Sequence, residues 1–119
     1  MDEGRPIFRQ ITDQIESSII DGSLAEETRA PSTNELAAFH RINPATAAKG
    51  INQLAADGIL YKRRGIGMFV SAGAQAKIRA RRRERFAHEY VYPLVIEARK
   101  LGLSAEEIKD MIEHWEDQP

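Results

Sequence analysis

The feature that most constrains this chain is a run of helix and turn signals between Pro31 and Val70. Ser32-Thr33-Asn34-Glu35 has the form of a capping box. The Ser32 hydroxyl can accept from the amide three residues on, while Glu35 reaches back to the Ser32 amide. Asn43-Pro44 is a second helix start, with Asn as the cap and Pro in the first position, where its missing N–H is no loss. His40-Arg41-Ile42 supplies a turn between them. This punctuation predicts two short helices joined by about four residues, the spacing of a helix-turn-helix. Leu36, Ala37 and Phe39 are expected to face inward from the first helix, and Ala47, Gly50 or Ile51, and Leu54 from the second. Asp57-Gly58 stops the second helix. Two strand-like runs follow, Ile59-Leu60-Tyr61-Lys62 and Met68-Phe69-Val70, around a basic turn, Arg63-Arg64-Gly65-Ile66-Gly67.

The flanking segments are helical. After Pro6, the residues Phe8, Ile11, Ile15 and Ile19 recur every three or four positions, giving an amphipathic helix that ends near Gly22. A long helix is predicted from about residue 75 to 101, with Phe86, Tyr90, Leu94 and Leu101 as its apolar stripe. Pro93 interrupts it by removing a backbone donor, so a kink is expected there. Ser104-Ala105-Glu106-Glu107 is a second capping box, and Ile108, Met111, Ile112 and Trp115 stripe a final helix. The predicted architecture is mainly α with a small β-hairpin. A winged helix-turn-helix occupies residues 1–73, followed by a two-helix C-terminal dimerisation region at 74–119.

Several classes of function are set aside by what the sequence contains. There is no cysteine, so disulfides and thiolate metal sites are excluded, in keeping with a reducing compartment. No apolar run approaches the roughly 18 residues of a membrane span, and no secretory pattern is present, so a cytoplasmic protein without a membrane partner is expected. His40, His88 and His114 lack metal-ligand spacing, and Gly65-Ile66-Gly67 joins strands rather than opening a phosphate-binding helix. Glu106, Glu107, Asp110 and Glu113 read as the solvated face of the last helix. No catalytic arrangement, cofactor or metal site is expected.

The charge distribution points instead to a polyanion. From His40 to Arg85 there are eleven Lys and Arg against two acids, whereas from Phe86 onward there are three bases against eight acids. A net charge of −1 thus conceals a strongly basic middle. In a helix-turn-helix the second helix enters the major groove by its N-terminal end. Asn43, Pro44, Ala45, Thr46, Lys49 and Gln53 are therefore the candidate DNA-facing residues of that helix, the Ala45 methyl being able to touch a thymine methyl. Ser32 and Asn34 open the preceding helix and can add further contacts. In the wing, Lys62, Arg63 and Arg64 can neutralise phosphates or enter a narrow minor groove. Gly65 and Gly67 permit its tight turn.

These motifs, with Pro6-Ile7-Phe8-Arg9-Gln10-Ile11, Ala30-Pro31-Ser32, Lys49-Gly50, Gly58-Ile59-Leu60 and Met68-Phe69-Val70, resemble the GntR family of bacterial transcription regulators over residues 6 to 70. Arg99-Lys-Leu-Gly-Leu-Ser104 in the short C-terminal part is similar to the YtrA-type subfamily. The resemblance implies a homodimeric repressor of a double-stranded operator, often acting on its own operon and on an ABC-type transporter. It departs from the family at Asn34, where an Arg that contacts DNA is usual, and at Ala45, where a polar residue is frequent; both bear on which operator is read. A winged-helix module that binds protein rather than specific DNA is the alternative reading. A small-molecule effector stays open, with no residue pointing to one.

The apolar stripe of the C-terminal part, Phe86, Tyr90, Leu94, Leu101, Ile108, Met111, Ile112 and Trp115, is too large to leave in water. It can pack back on the DNA-binding domain, or on a second copy to give a two-fold dimer, and the dimer is the expectation. The basic run from Arg79 to Arg85 can either flank DNA or pair with an acidic C-terminal helix of a partner.

Overall fold

The computed structural model describes residues 6–117. The chain divides into two compact units, Met1–Arg81 and Arg82–Pro119.

The first unit begins with α1 (Ile7–Asp21), which buries Ile11, Ile15 and Ile19 together with Thr12 and Glu16. Gly22 closes it in the left-handed region, at φ 87°, with its N–H donating to the Ile19 carbonyl. The capping box of α2 (Thr33–His40) forms in both directions: the Glu35 amide donates to Ser32 Oγ at 3.1 Å, and the Ser32 amide donates to Glu35 Oε1 at 3.1 Å. The Ile42 amide then bonds back to the Ala37 carbonyl, which closes the turn into α3 (Pro44–Ala56). There the Asn43 side chain accepts from the Ala45 amide at 2.7 Å. Leu36 and Ala37 are buried as expected, but Phe39 is 78% exposed. Successive residues on a helix are about 100° apart, so the face centred between Leu36 and Ala37 leaves Phe39 on the flank.

Strands β1 (Leu60–Arg63) and β2 (Gly67–Val70) pair antiparallel, with Tyr61 opposite Phe69 and Lys62 opposite Met68. The segment before α2, which reads as a loop in sequence, runs along the outer edge of β2. Arg29 bridges to Phe69, the Ala30 amide donates to the Met68 carbonyl, and the Val70 amide to the Thr28 carbonyl. The core gathers Ile11, Ile19, Leu54, Ile59, Leu60 and Val70, closed by Ala74 and Ile78 from the first turns of α4 (Ala74–Phe86). α1 and α3 approach closely at Gly50. A Cβ there would lie 3.3 Å from the Phe8 carbonyl oxygen. Two side chains secure the start of α4. Glu26 accepts from the Gly73 and Gln75 amides, and the Gln75 amide group donates to the Ile19 and Ile20 carbonyls at the end of α1.

In the second unit the long helix survives Pro93. A π-helical turn, Ala87–Val91, precedes α5 (Tyr92–Lys100), so the proline is absorbed by widening the helix one turn earlier. Gly102, at φ 71°, and Leu103 make the corner, and the Ser104 capping box starts α6 (Ala105–Glu113), again satisfied in both directions. A short 3-10 turn, Trp115–Asp117, follows. Among the described residues, no helix is long and apolar enough to cross a membrane.

Candidate nucleic-acid interface

Burial sorts α3 into two faces. Ala47, Gly50, Ile51 and Leu54 are inside, while Ala45, Lys49, Asn52 and Gln53 are exposed and Thr46 is half-buried. Asn43 and Pro44 sit exposed at its N-terminus, where free backbone amides favour an anion. Asn52 is absent from the sequence-derived set, although it lies three residues from Lys49 and seven from Ala45. That spacing was the available signal.

Several candidate residues already have partners. Ser32 and Asn43 spend side-chain oxygens on capping their helices, so they would meet DNA while holding the helix ends in place. Lys49 Nζ lies 4.3 Å from the centre of the Phe8 ring, a cation–π contact that draws the ammonium toward α1. Gln53 Nε2 donates to Asp57 Oδ1 at 3.1 Å. Among the described residues, Asn34 and Thr46 have no side-chain hydrogen-bond partner, which leaves both able to bond a ligand.

The wing gathers three cations on one exposed hairpin. Lys62, Arg63 and Arg64 are all exposed. The Arg63 guanidinium stacks over Phe69, 4.5 Å from the ring centre. The turn places Gly65 at φ 77° and Gly67 at φ 140°, with the Ile66 amide donating to the Arg63 carbonyl. Gly67 also leaves room for Arg29, since a Cβ there would come 3.1 Å from Arg29 Nε. Arg29 thus adds a fourth cation beside the hairpin. Sequence reasoning missed it because only the tertiary pairing with β2 brings it there. The Tyr61 hydroxyl donates to Glu27 Oε2 at 2.6 Å, and that bond to a carboxylate raises the phenol's pKa above its ordinary value. The Glu35 carboxyl lies below the ordinary carboxylate range, chiefly because it accepts from the Ser32 amide, so the capping box is held by an ionised group.

The basic run that opens the long helix is not uniform. Arg81 bridges two carboxylates of the first unit, Glu16, which is buried, and Asp57 at 3.4 Å. Arg79 donates to the Ile20 carbonyl at 3.3 Å. Arg85 pairs with Glu89 at 3.8 Å within the second unit. Part of the cluster is therefore committed to the fold itself.

In the second unit, Leu94, Leu101, Ile108, Met111, Ile112 and Trp115 line one groove of about 380 Å³ between α5 and α6. Phe86 and Tyr90 pair separately, with ring centres 5.7 Å apart. Of these eight, Ile108 is half-buried and the others are exposed. A second cavity, of about 500 Å³, lies in the first unit between α1 and α2, with Ile15, Leu24, Leu36, Phe39 and His40 among its walls. Asp110, Glu113 and His114 bring one ligand atom each to within 4.8 Å of one another, but all three are exposed, as acidic surface groups commonly are without an ion.

A family model described as bacterial regulatory proteins, gntR family, matches residues 8–70. The transcriptional regulator YhcF of Bacillus subtilis is 30% identical over 91% of this chain and 88% of its own length. The transcriptional repressor YtrA of the same organism is 28% identical over 90% of this chain and 82% of its own. A solved structure of a transcriptional regulator assigned to the GntR family, from Bacteroides thetaiotaomicron, superposes with TM-score 0.73 at 34% identity, covering 93% of this chain and 96% of that one. The AraR DNA-binding domain, solved in complex with an operator, matches with TM-score 0.54 at 31% identity over 56% of this chain and 82% of that one.

Proposed function

The chain belongs to the gntR family of bacterial regulatory proteins and is a DNA-binding transcriptional regulator rather than an enzyme; from that premise we propose that it is a homodimeric repressor of a pseudo-palindromic operator. Each copy places α3 in a major groove, with its Ala45, Thr46, Lys49, Asn52 and Gln53, and Asn34 of α2, toward the bases. Pro44, the α2 and α3 N-termini, Ser32 and Asn43 lie along the phosphates. The wing, with Lys62, Arg63, Arg64 and Arg29, follows the neighbouring backbone into the minor groove. The observation that carries this reading is the joint geometry of one exposed α3 face and a cationic hairpin on the same unit.

The exposed apolar residues of α5 and α6 support self-association, because a face of that size is costly in water. The two-fold axis sets two half-sites about one helical turn apart or further. The likeness to the repressor YtrA supports repression as the direction of control, and we extend it to an operon containing the regulator's own gene and an ABC-type transporter, read in the cytoplasm. Selection of bound sequences from a random DNA pool, followed by footprinting, tests the proposal. A two-fold symmetric site protected on one face of the duplex is expected; enrichment of no sequence would overturn it. Light scattering at micromolar concentration is expected to give twice the chain mass, and a monomer would remove the dimer.

A further inference from the structure

Gln53 lies at the last turn of α3 and shares a flank with Thr46, two turns earlier. Its amide is not free to choose an orientation. Asp57 closes the same helix, and as a carboxylate it can only accept hydrogen bonds, so Gln53 must turn its NH2 group toward Asp57 Oδ1, at 3.1 Å. The other oxygen, Oδ2, faces Arg81 Nη1 at 3.4 Å, and Arg81 is itself held by the buried carboxylate of Glu16. The chain Glu16, Arg81, Asp57, Gln53 thus runs from the hydrophobic core to the exposed edge of α3. At its outer end Gln53 Oε1 and one remaining N–H are left to meet a ligand. The Arg81 charge also offsets a carboxylate that would otherwise repel phosphate.

We propose that Asp57 and Arg81 are positioning residues for operator readout, locking the Gln53 amide so that it reads adenine in preference to guanine. Adenine offers an amino donor beside a ring acceptor in the major groove, which matches a fixed carbonyl oxygen and one N–H. Guanine offers two acceptors, and a locked oxygen opposes one of them. This deepens the assignment of α3 to the major groove and rests on it.

The test compares the wild-type chain with Gln53→Ala, Asp57→Asn and Arg81→Lys by selection from a random DNA pool, then by titration of the selected site with single-base changes. Wild type is expected to prefer adenine to guanine at one position in each half-site by about tenfold. Gln53→Ala is expected to lose that preference and to bind the best site about tenfold more weakly, since the adenine contact goes with the side chain; Asp57→Asn is expected to lose the preference at the same position with affinity for the best site kept within about threefold. The Asp57→Asn side chain donates as well as accepts, so the Gln53 amide is free to turn either way. Arg81→Lys keeps a cation beside Glu16 but lacks the fork that spans both carboxylates, and is expected to weaken the same preference by about threefold. Thermal unfolding of each variant identifies any that lose the fold, and the Lys variant then carries the test if Asp57→Asn does.

If Asp57→Asn keeps the preference, or loses affinity equally for every sequence, the lock is overturned while α3 remains the reading helix. A Gln53→Ala variant with unchanged preference overturns the role of Gln53. Wild type that enriches no sequence overturns the major-groove assignment itself, and the lock with it.

Discussion

The two units treat apolar side chains in opposite ways. The first encloses most of its own: Ile11, Leu54, Ile59, Val70 and Ile78 are each 0% exposed, around helices pinned by caps and by the Arg81 bridge, with Phe39 and Ile66 left outside. In the second, Ala98, at 4% exposed, is the one buried residue among those described, while Tyr90, Leu101, Ile112 and Trp115 are each at least 60% exposed. One unit derives its stability from packing it already has. The other has well-formed local structure, with a complete capping box and a defined corner, but almost no interior among the described residues. Its helices are specified by local signals, and their apolar faces await a cover. The dimer proposed above supplies one.

This contrast can be broken from either side. Leu54→Ala opens a cavity in the enclosed core and should cost about 2–5 kcal/mol in chemical denaturation, with the oligomeric mass unchanged. Loss of the oligomer in that variant would mean that the two units are not energetically separate. Replacing Met111 and Ile112 together by Asp puts two charges on the apolar groove. The expected result is a halved mass by light scattering and an operator affinity lower by on the order of 100-fold, because the second DNA-binding unit is no longer held at high effective concentration. Unfolding of the first unit should barely change. A double variant that stayed dimeric would show that the cover lies elsewhere, for instance on the Phe86 and Tyr90 pair. A smaller effect is expected on the DNA face. Thr46→Ala, which removes the hydroxyl of a half-buried residue with no side-chain partner among the described residues, should cost roughly 1–3 kcal/mol of specific binding and leave non-specific binding alone. Unchanged affinity there would move the reading face toward Asn52.

How legible each part was in the sequence follows the same division between local and tertiary causes. Both capping boxes, the Asn43-Pro44 start and the glycine-bearing hairpin are local motifs, and each stands where the sequence predicted it. Pro93 was visible as a disturbance, but a π-helical turn depends on how the rest of the helix accommodates the proline. Phe39 can face inward on its spacing alone yet lies exposed, because an eight-residue helix gives too short a record to fix its buried face. Within the candidate site, residue types on α3 were readable, but their partners were not. Lys49 over Phe8, Arg29 beside Gly67 and Arg81 between Glu16 and Asp57 all join segments distant in sequence. A run of arginines reads as one feature until the fold assigns each its neighbour.

The smallest predicted effect concerns how the start of α4 is secured. Glu26 lies below its ordinary pKa of 4.5, first because it accepts from the Gly73 amide and then because it accepts from the Gln75 amide. A carboxyl whose pKa is depressed by folding stabilises the folded state above its unfolded pKa, and that contribution is lost as pH falls through the folded value. Glu35 is depressed in the same sense by the Ser32 amide. Glu26→Gln keeps one oxygen, which can accept from one of the two amides, but turns an NH2 group toward the other and removes the charge that strengthens such bonds. The variant should therefore melt at a lower temperature than wild type at pH 7, with the gap closing as pH falls below the ordinary carboxylate range and the wild-type carboxyl takes up its proton. The gap should persist in the Met111 and Ile112 double variant, because Glu26 and both amides belong to the unit that encloses its own core. A gap independent of pH would assign the loss to packing at the loop rather than to the ionised cap, and a gap abolished by breaking the dimer would tie the start of α4 to the second unit instead of the first.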